Sequence, residues 1–340
     1  MRVDLRGVIG LALSAGLLWW TLRDVSPATV ADVLRQSNAL LFAASTITAT
    51  TIFPLRARRW ASILEPVAGR LPFASLWRAT AIGMMANNVL PARLGEVARA
   101  YALTRDHPEV PFGTSIASLA VDRLFDAIVL LALMFVAVLD PAFPADARIA
   151  GRTLPQLASG GVVLMVVLLV GLYAAVVLQD RAARLAEALV RPLSASLAPK
   201  VGALARAFVH GLAVLRAPSR FLGVLGWALA HWLVHAVGLW LAFKAVGINA
   251  PFSAALFLQG VLGIAVAIPS SPGFFGVFEF AAQHGLAVYG VPAPLAVSWA
   301  IGYHLLSFIP ITVMGAVYFA RLGLSVSDLR RSASPPATEP

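Results

Sequence analysis

Residues 87–100 read NNVLPARLGEVARA, and residues 268–280 read IPSSPGFFGVFEF. Each interrupts a longer apolar stretch, 74–104 and 253–290, with proline, glycine and polar residues. Irregular backbone at membrane depth survives only where protein or a water-filled cavity surrounds it. Both stretches therefore read as re-entrant helix–break–helix hairpins facing a cavity, with full spans as the alternative. A single crossing by each would put the basic 179–220 segment on the outer side, which favours the hairpins. The breaks are also related to each other. Pro91 and Gly95 lie four apart, as do Pro272 and Gly276, with Gly273 inside the second break; the offset between the pairs is 181. The same offset carries Arg123 onto His304 and 39–59 onto 220–240. Two repeats follow, about 39–139 and 220–320, each a span, a broken hairpin and a span.

Composition sets the medium. Hydrophobic residues make up 59% of the 340 and charged residues 12%, with mean hydropathy +0.83. A soluble domain has roughly 45–50% and about 25%. A water-soluble enzyme, a disordered regulator and a nucleic-acid-binding domain are disfavoured together. Cysteine is absent, which removes disulfides and thiol chemistry. About six segments are long and apolar enough to span: 7–22, 39–55, 114–139, 159–178, 221–243 and 294–320. The first could be a signal peptide, but it closes on Trp19 and Trp20, which resemble interface anchors, and no small-residue cleavage site follows.

The net charge of +10 is a topology signal. With both termini cytoplasmic, 20 of the 26 basic residues fall on the cytoplasmic side, five fall outside, and Arg123 alone lies in a span. This is the positive-inside pattern of a cytoplasmic (inner) membrane protein. It also turns the second repeat upside down relative to the first, the inverted topology common in secondary transporters. Residues 180–216 read as an amphipathic cytoplasmic connector or a plain loop, and 326–340 as a disordered tail.

Charges inside the bilayer are costly and face partners or cavities. Arg93, Glu96 and Arg99 follow the first break at i, i+3 spacing, near the polar pair Asn87 and Asn88. They suit either a helix N-terminus that binds a lipid phosphate or a self-neutralised cluster that locks the hairpin. Asp122, Arg123 and Asp126 form a second cluster, with both acids on one helix face. Its excess negative charge calls for a further cation, with Arg93 or Arg99 as candidates, so the two clusters are expected to meet. The acid pair could also hold a proton or Na⁺. Glu279 and His304 form a third set, either titratable or a structural hydrogen-bonded histidine. His231 and His235 have zinc spacing but sit in HWLVH with no acid close in sequence, so no metal is expected.

The runs RARRWASIL, NNVLPARLGEVARAYAL, VDRLFDAIVL and PSSPGFFGVFEF resemble the flippase-like membrane domain of lysylphosphatidylglycerol synthases/flippases in a stand-alone form. The resemblance covers about residues 5–325, one domain. It implies movement of a lipid or lipid-linked headgroup between leaflets. It also implies candidate substrate roles for Arg59, Arg93, Glu96, Arg99, Asp122, Arg123, Asp126 and Glu279. Relatives often carry arginine where this chain has His304. The synthases' soluble aminoacyl-transfer domain has no counterpart in the 340 residues, so lipid aminoacylation is not expected. Some stand-alone relatives are associated with hopanoid or glycolipid pathways.

The expectation is thus an all-α polytopic membrane protein of two inverted repeats that flips a phospholipid or lipid-linked headgroup. The alternative is a lipid-binding scaffold or regulator; a membrane enzyme using Asp122 or Glu279 as base is a third reading. Expected partners are membrane lipids with an anionic or lipid-linked headgroup, a second copy in a homodimer, and a separately encoded lipid-modifying enzyme. No cofactor is expected.

Overall fold

The structure, a computed structural model, describes residues 5–23, 25–90, 94–144, 217–267 and 271–325, with isolated residues between 160 and 206. Most of the fourth span candidate, 159–178, about half of the 180–216 connector and the 326–340 tail lie outside the described residues, as do Pro91 and Arg93. The elements in order are α1 (Leu5–Leu22), α2 (Pro27–Gln36), α3 (Ala39–Ala68), α4 (Phe73–Val89), α5 (Gly95–Asp106) and α6 (Phe112–Val138). Then follow α7 (Pro218–Ala245), α8 (Phe252–Ala265), a 3-10 turn (Pro272–Phe274), α9 (Val277–Ala287) and α10 (Ala293–Arg321). No strand occurs among the described residues. The helices α3, α7 and α10 are long and apolar enough to cross a membrane. The protein is an all-α polytopic membrane protein.

Helix α3 runs past the expected end of its span. The sequence reading stopped it at residue 55, after Pro54, and counted Arg56 and Arg59 as a cytoplasmic flank. The helix instead continues to Ala68, because Trp60, Ile63 and Leu64 keep its buried stripe going. It ends at Gly69, where φ is +72°. The two arginines are therefore inside the bundle, and Arg123 is not alone among the basic residues of the spans.

Both interrupted stretches fold back on themselves. The backbone of Gly83 on α4 lies against Gly95 and Arg99 on α5, and the Gly95 N–H donates to Asn87 Oδ1 at 2.9 Å. On the other side, Gly285 of α9 packs against Leu258 and Val261 of α8. At about 1.5 Å per residue, the 17 residues of α4 and 12 of α5 span about 26 and 18 Å, short of a hydrocarbon core of about 30 Å. Gly276, at φ +86°, closes the second break; its Cα faces the Ser14 carbonyl, and Ser14 Oγ accepts from the Ser271 N–H at 2.8 Å. The first helix thus clamps the second hairpin.

The two halves interlock. Helix α3 packs along α7, and the pairing is antiparallel: the Asn38 N–H donates to Ala245 O at 2.8 Å and Ser45 Oγ donates to Gly238 O at 2.7 Å. Each hairpin lies on the last helix of the other half. Helix α4 packs on α10 through Gly315 against Ala81, and α8 packs on α6 through Gly260 against Met134. Met134 and Gly315 are 181 residues apart, the offset read from the breaks. Small residues let these backbones approach closely, and close packing rather than water exclusion holds membrane helices together.

The α3–α7 pairing can be tested directly because the chain has no cysteine. A Cβ built on Gly238 would lie 3.7 Å from Thr48 Cβ, within disulfide reach. Thr48→Cys with Gly238→Cys should cross-link on mild oxidation, and Thr48→Cys with Leu222→Cys should not. The reverse pattern would overturn the antiparallel arrangement.

Candidate functional site

Helix periodicity builds the first part of the site. Arg56 and Arg59 share a face of α3, one turn apart; Asp122 and Asp126 do the same on α6. Where the helices meet, the Arg59 fork spans the two acids. Its Nε donates to Asp122 Oδ1 at 2.6 Å and its Nη1 to Asp126 Oδ1 at 2.7 Å. Arg59 and Asp122 are fully buried and Asp126 nearly so. Helix α5 brings Arg99, which donates to Asp122 Oδ2 at 3.3 Å and lies 4.1 Å from the centre of the Trp60 ring. It also brings Glu96, which pairs with Arg123; Arg123 reaches Asp126 Oδ2 at 3.3 Å. Trp232 of α7 donates to Asp126 Oδ1 at 2.9 Å and ties the second half into the network.

The second half holds a smaller counterpart. His304 Nδ1 lies 2.6 Å from Glu279 Oε1, and the Gly276 N–H donates to Glu279 Oε2 at 2.6 Å. The imidazole sits between the Phe275 and Phe278 rings, 4.6 and 4.3 Å from their centres. Helices α10 and α9 supply this pair, as α6 and α5 supply Arg123 and Glu96. The partners in the two pairs are 181 and 183 residues apart.

Between the halves lies a cavity of about 210 Å³. Arg56, Asn88, His231, His235, Gln259 and His304 supply its polar wall; Phe53, Trp232, Phe274, Phe278 and Phe308 supply much of its apolar wall. It borders both clusters. His235 Nδ1 lies 3.2 Å from Gln259 Oε1, and Asn88 Nδ2 donates to Thr312 Oγ1 at 2.7 Å.

The structure brings Arg59, Glu96, Arg99, Asp122, Arg123 and Asp126 into one network and joins Glu279 to His304. The cation expected beside the acids is chiefly Arg59, not Arg93 or Arg99 alone. Arg93 lies outside the described residues. Asn87 takes the Gly95 N–H, so that donor at the start of α5 is not open to a phosphate. The sequence reading missed Arg56 as a site residue, and it missed Gln259. Arg56 was legible in principle, being three residues before Arg59 in a run with no glycine or proline until Pro66. An acid does approach His231, at 4.0 Å, but it is Asp126 from another helix.

Residues 7–315 match the family described as the lysylphosphatidylglycerol synthase TM region. The chain belongs to that family. It is similar to glycosyltransferase AglD of Haloferax volcanii, 27% identical over 85% of this chain and 50% of that protein. The chain therefore spans about half the length of that relative. It is also similar to a UPF0104 membrane protein of Methanocaldococcus jannaschii, 21% identical over 69% of this chain and 93% of that protein. A UPF0104 membrane protein of Methanothermobacter thermautotrophicus is 30% identical over 31% of each chain.

Removing one partner of a buried ion pair typically costs about 3–5 kcal/mol, because the other charge is left uncompensated. Arg59→Ala strands two carboxylates and should lose at least that much stability in detergent, read as a fall in melting temperature and yield. Arg59→Lys should recover only part, since an ammonium cannot reproduce the fork. Arg58→Ala, on the exposed side of α3, should stay within about 0.5 kcal/mol of the parent. Equal effects of Arg59→Ala and Arg58→Ala would remove Arg59 as the centre of the network.

Proposed function

We propose that this member of the lysylphosphatidylglycerol synthase TM-region family moves a phospholipid or lipid-linked headgroup between leaflets of the cytoplasmic membrane, with both termini cytoplasmic. The observation that carries the reading is the cavity between the two interlocked halves of a membrane bundle, largely apolar but with a polar wall. Bare hydrocarbon opposes a phosphate, because an ion of that kind loses its hydration there. A cavity walled by Arg56, Asn88, His231 and Gln259 offers replacement partners, while acyl chains stay in lipid. The two halves act as inverted repeats in this reading, supported by the antiparallel α3–α7 pairing and the matched packing of each hairpin. Rocking of one half against the other would open the cavity to each leaflet in turn.

Translocation is preferred to chemistry on the lipid. Asp122 and Asp126 already accept several guanidinium hydrogen bonds, which leaves neither carboxylate well placed as a general base. The likeness to a protein named a glycosyltransferase favours a lipid that carries sugar among the substrates to be tried.

The test uses purified protein in liposomes containing lipids with fluorescent headgroups, and a reductant that cannot cross the bilayer. Protein-containing vesicles should lose the protected inner-leaflet signal. Ser307→Trp, which fills the cavity, should restore it. Protection that persists across phospholipid and glycolipid probes would sink translocation; co-purified lipid would then favour the scaffold, and a chemically altered lipid the enzyme.

A further inference from the structure

The buried network does not balance. Four guanidiniums (Arg56, Arg59, Arg99, Arg123) meet three carboxylates (Glu96, Asp122, Asp126), a surplus of one positive charge. Arg59 Nη2 and two Arg99 nitrogens are also unmet among the described residues, but Arg56 is the least hydrogen-bonded of the four. Its Nη2 lies 3.7 and 3.8 Å from the Asp126 and Asp122 Oδ2 atoms, beyond hydrogen-bond reach. Its Nη1 has Met84 Sδ, a weak acceptor, at 3.9 Å. Among the described residues, Nε and Nη2 have no hydrogen-bond partner, although the residue is only 6% exposed. A buried guanidinium with unmet donors is expensive and implies a missing acceptor.

Arg56 lines the cavity, and so does Gln259, whose Nε2 is also without a partner among the described residues. Both side chains are more than nine-tenths buried. Arg99 keeps unmet N–H groups too, but its guanidinium lies over Trp60 and is not on the cavity wall. The cavity therefore presents one guanidinium with unmet N–H donors, amide donors from Gln259 and apolar walls. It is smaller than the roughly 300–1,000 Å³ of drug-sized pockets, a scale that suits a headgroup and not an acyl chain.

We propose that Arg56 is the anion-binding residue of the cavity, and that its ligand is a phosphate oxyanion held by the guanidinium with help from Gln259. The planar fork matches two phosphate oxygens. This site deepens the lipid-translocation reading and rests on it for the expectation that the phosphate belongs to a lipid. It moves the phosphate away from Arg93, Arg99 and Arg123, the residues that sequence alone favoured.

Equilibrium binding of labelled dihexanoyl phosphatidylglycerol to the purified full chain in detergent tests the proposal. Saturable binding is expected, with no competition from dihexanoylglycerol, which lacks the phosphate. Competition by inorganic phosphate at similar concentration would assign the site to free phosphate; its failure to compete would assign it to the lipid phosphodiester. Arg56→Gln should weaken binding about ten- to a hundred-fold, the worth of a charge-assisted hydrogen bond, and Arg56→Lys should restore part. Unchanged binding by folded Arg56→Gln overturns the site. Should that variant not fold, a photoreactive dihexanoyl phosphatidylglycerol on the parent protein decides. Adducts on Met84, Asn88 or Gln259 support the site; adducts confined to residues off the cavity overturn it. The liposome assay keeps the two readings apart. Arg56-dependent binding without translocation keeps the site and removes the transporter; translocation and binding both indifferent to Arg56→Gln do the opposite.

Discussion

The bond on which the bundle depends is the Arg59 fork across Asp122 and Asp126. A lone carboxylate in the interior of a membrane protein is costly, and two on one helix face repel as well. Arg59 answers both at once because its planar donors span a helical turn. That geometry requires α3 and α6 to lie side by side at one height. Arg99 and Glu96 then dock α5 onto the same place, and Trp232 draws in α7. Four helices from both halves are thereby registered by one network, where packing of small residues alone would specify height weakly.

The network also explains where the cavity lies. Arg59, Asp122 and Asp126 are buried against one another, so the region around Arg59 is closed. Arg56, one turn away, carries unmet donors on the cavity wall, and the polar wall begins there. The apolar wall comes mostly from the second hairpin and α10, whose aromatic rings sandwich His304. One half of the molecule thus contributes fixed charge and the other contributes rings and a hydrogen-bonded histidine.

Much of this was readable from the residues because breakers and charges are conspicuous against an apolar background. PARLGE and PSSPGFFG marked both hairpins, and acids four apart on one helix predicted a buried cation partner. Met134 and Gly315, each packed against a hairpin, also stand 181 residues apart. Arg56 and Arg59 were misplaced for a physical reason. Basic residues after an apolar run usually sit in the headgroup region, and one sequence cannot distinguish that from a helix that continues into the bundle. The breaks pointed to a cavity, but most of its lining was not legible. Gln259, Asn88 and Arg56 come from three helices and meet only through tertiary packing.

Arg123 with Glu96 and His304 with Glu279 occupy matching helix positions, and in each the acid belongs to the first turn after a break. The first pair is a permanent ion pair, since arginine does not lose its proton in proteins. The second keeps its hydrogen bond whether or not the imidazole is charged, because neutral histidine still donates through Nδ1–H. Glu279 is further fixed by the Gly276 N–H, and the second break is clamped by Ser14 of α1. The pairs therefore hold their hairpins by different means: the first by charge, the second by a directional bond, aromatic packing and an extra helix. Because each hairpin rests on the last helix of the other half, neither half can shift without disturbing a hairpin and the cavity wall it supports. A fold built this way couples any motion of the halves to the shape of the cavity between them.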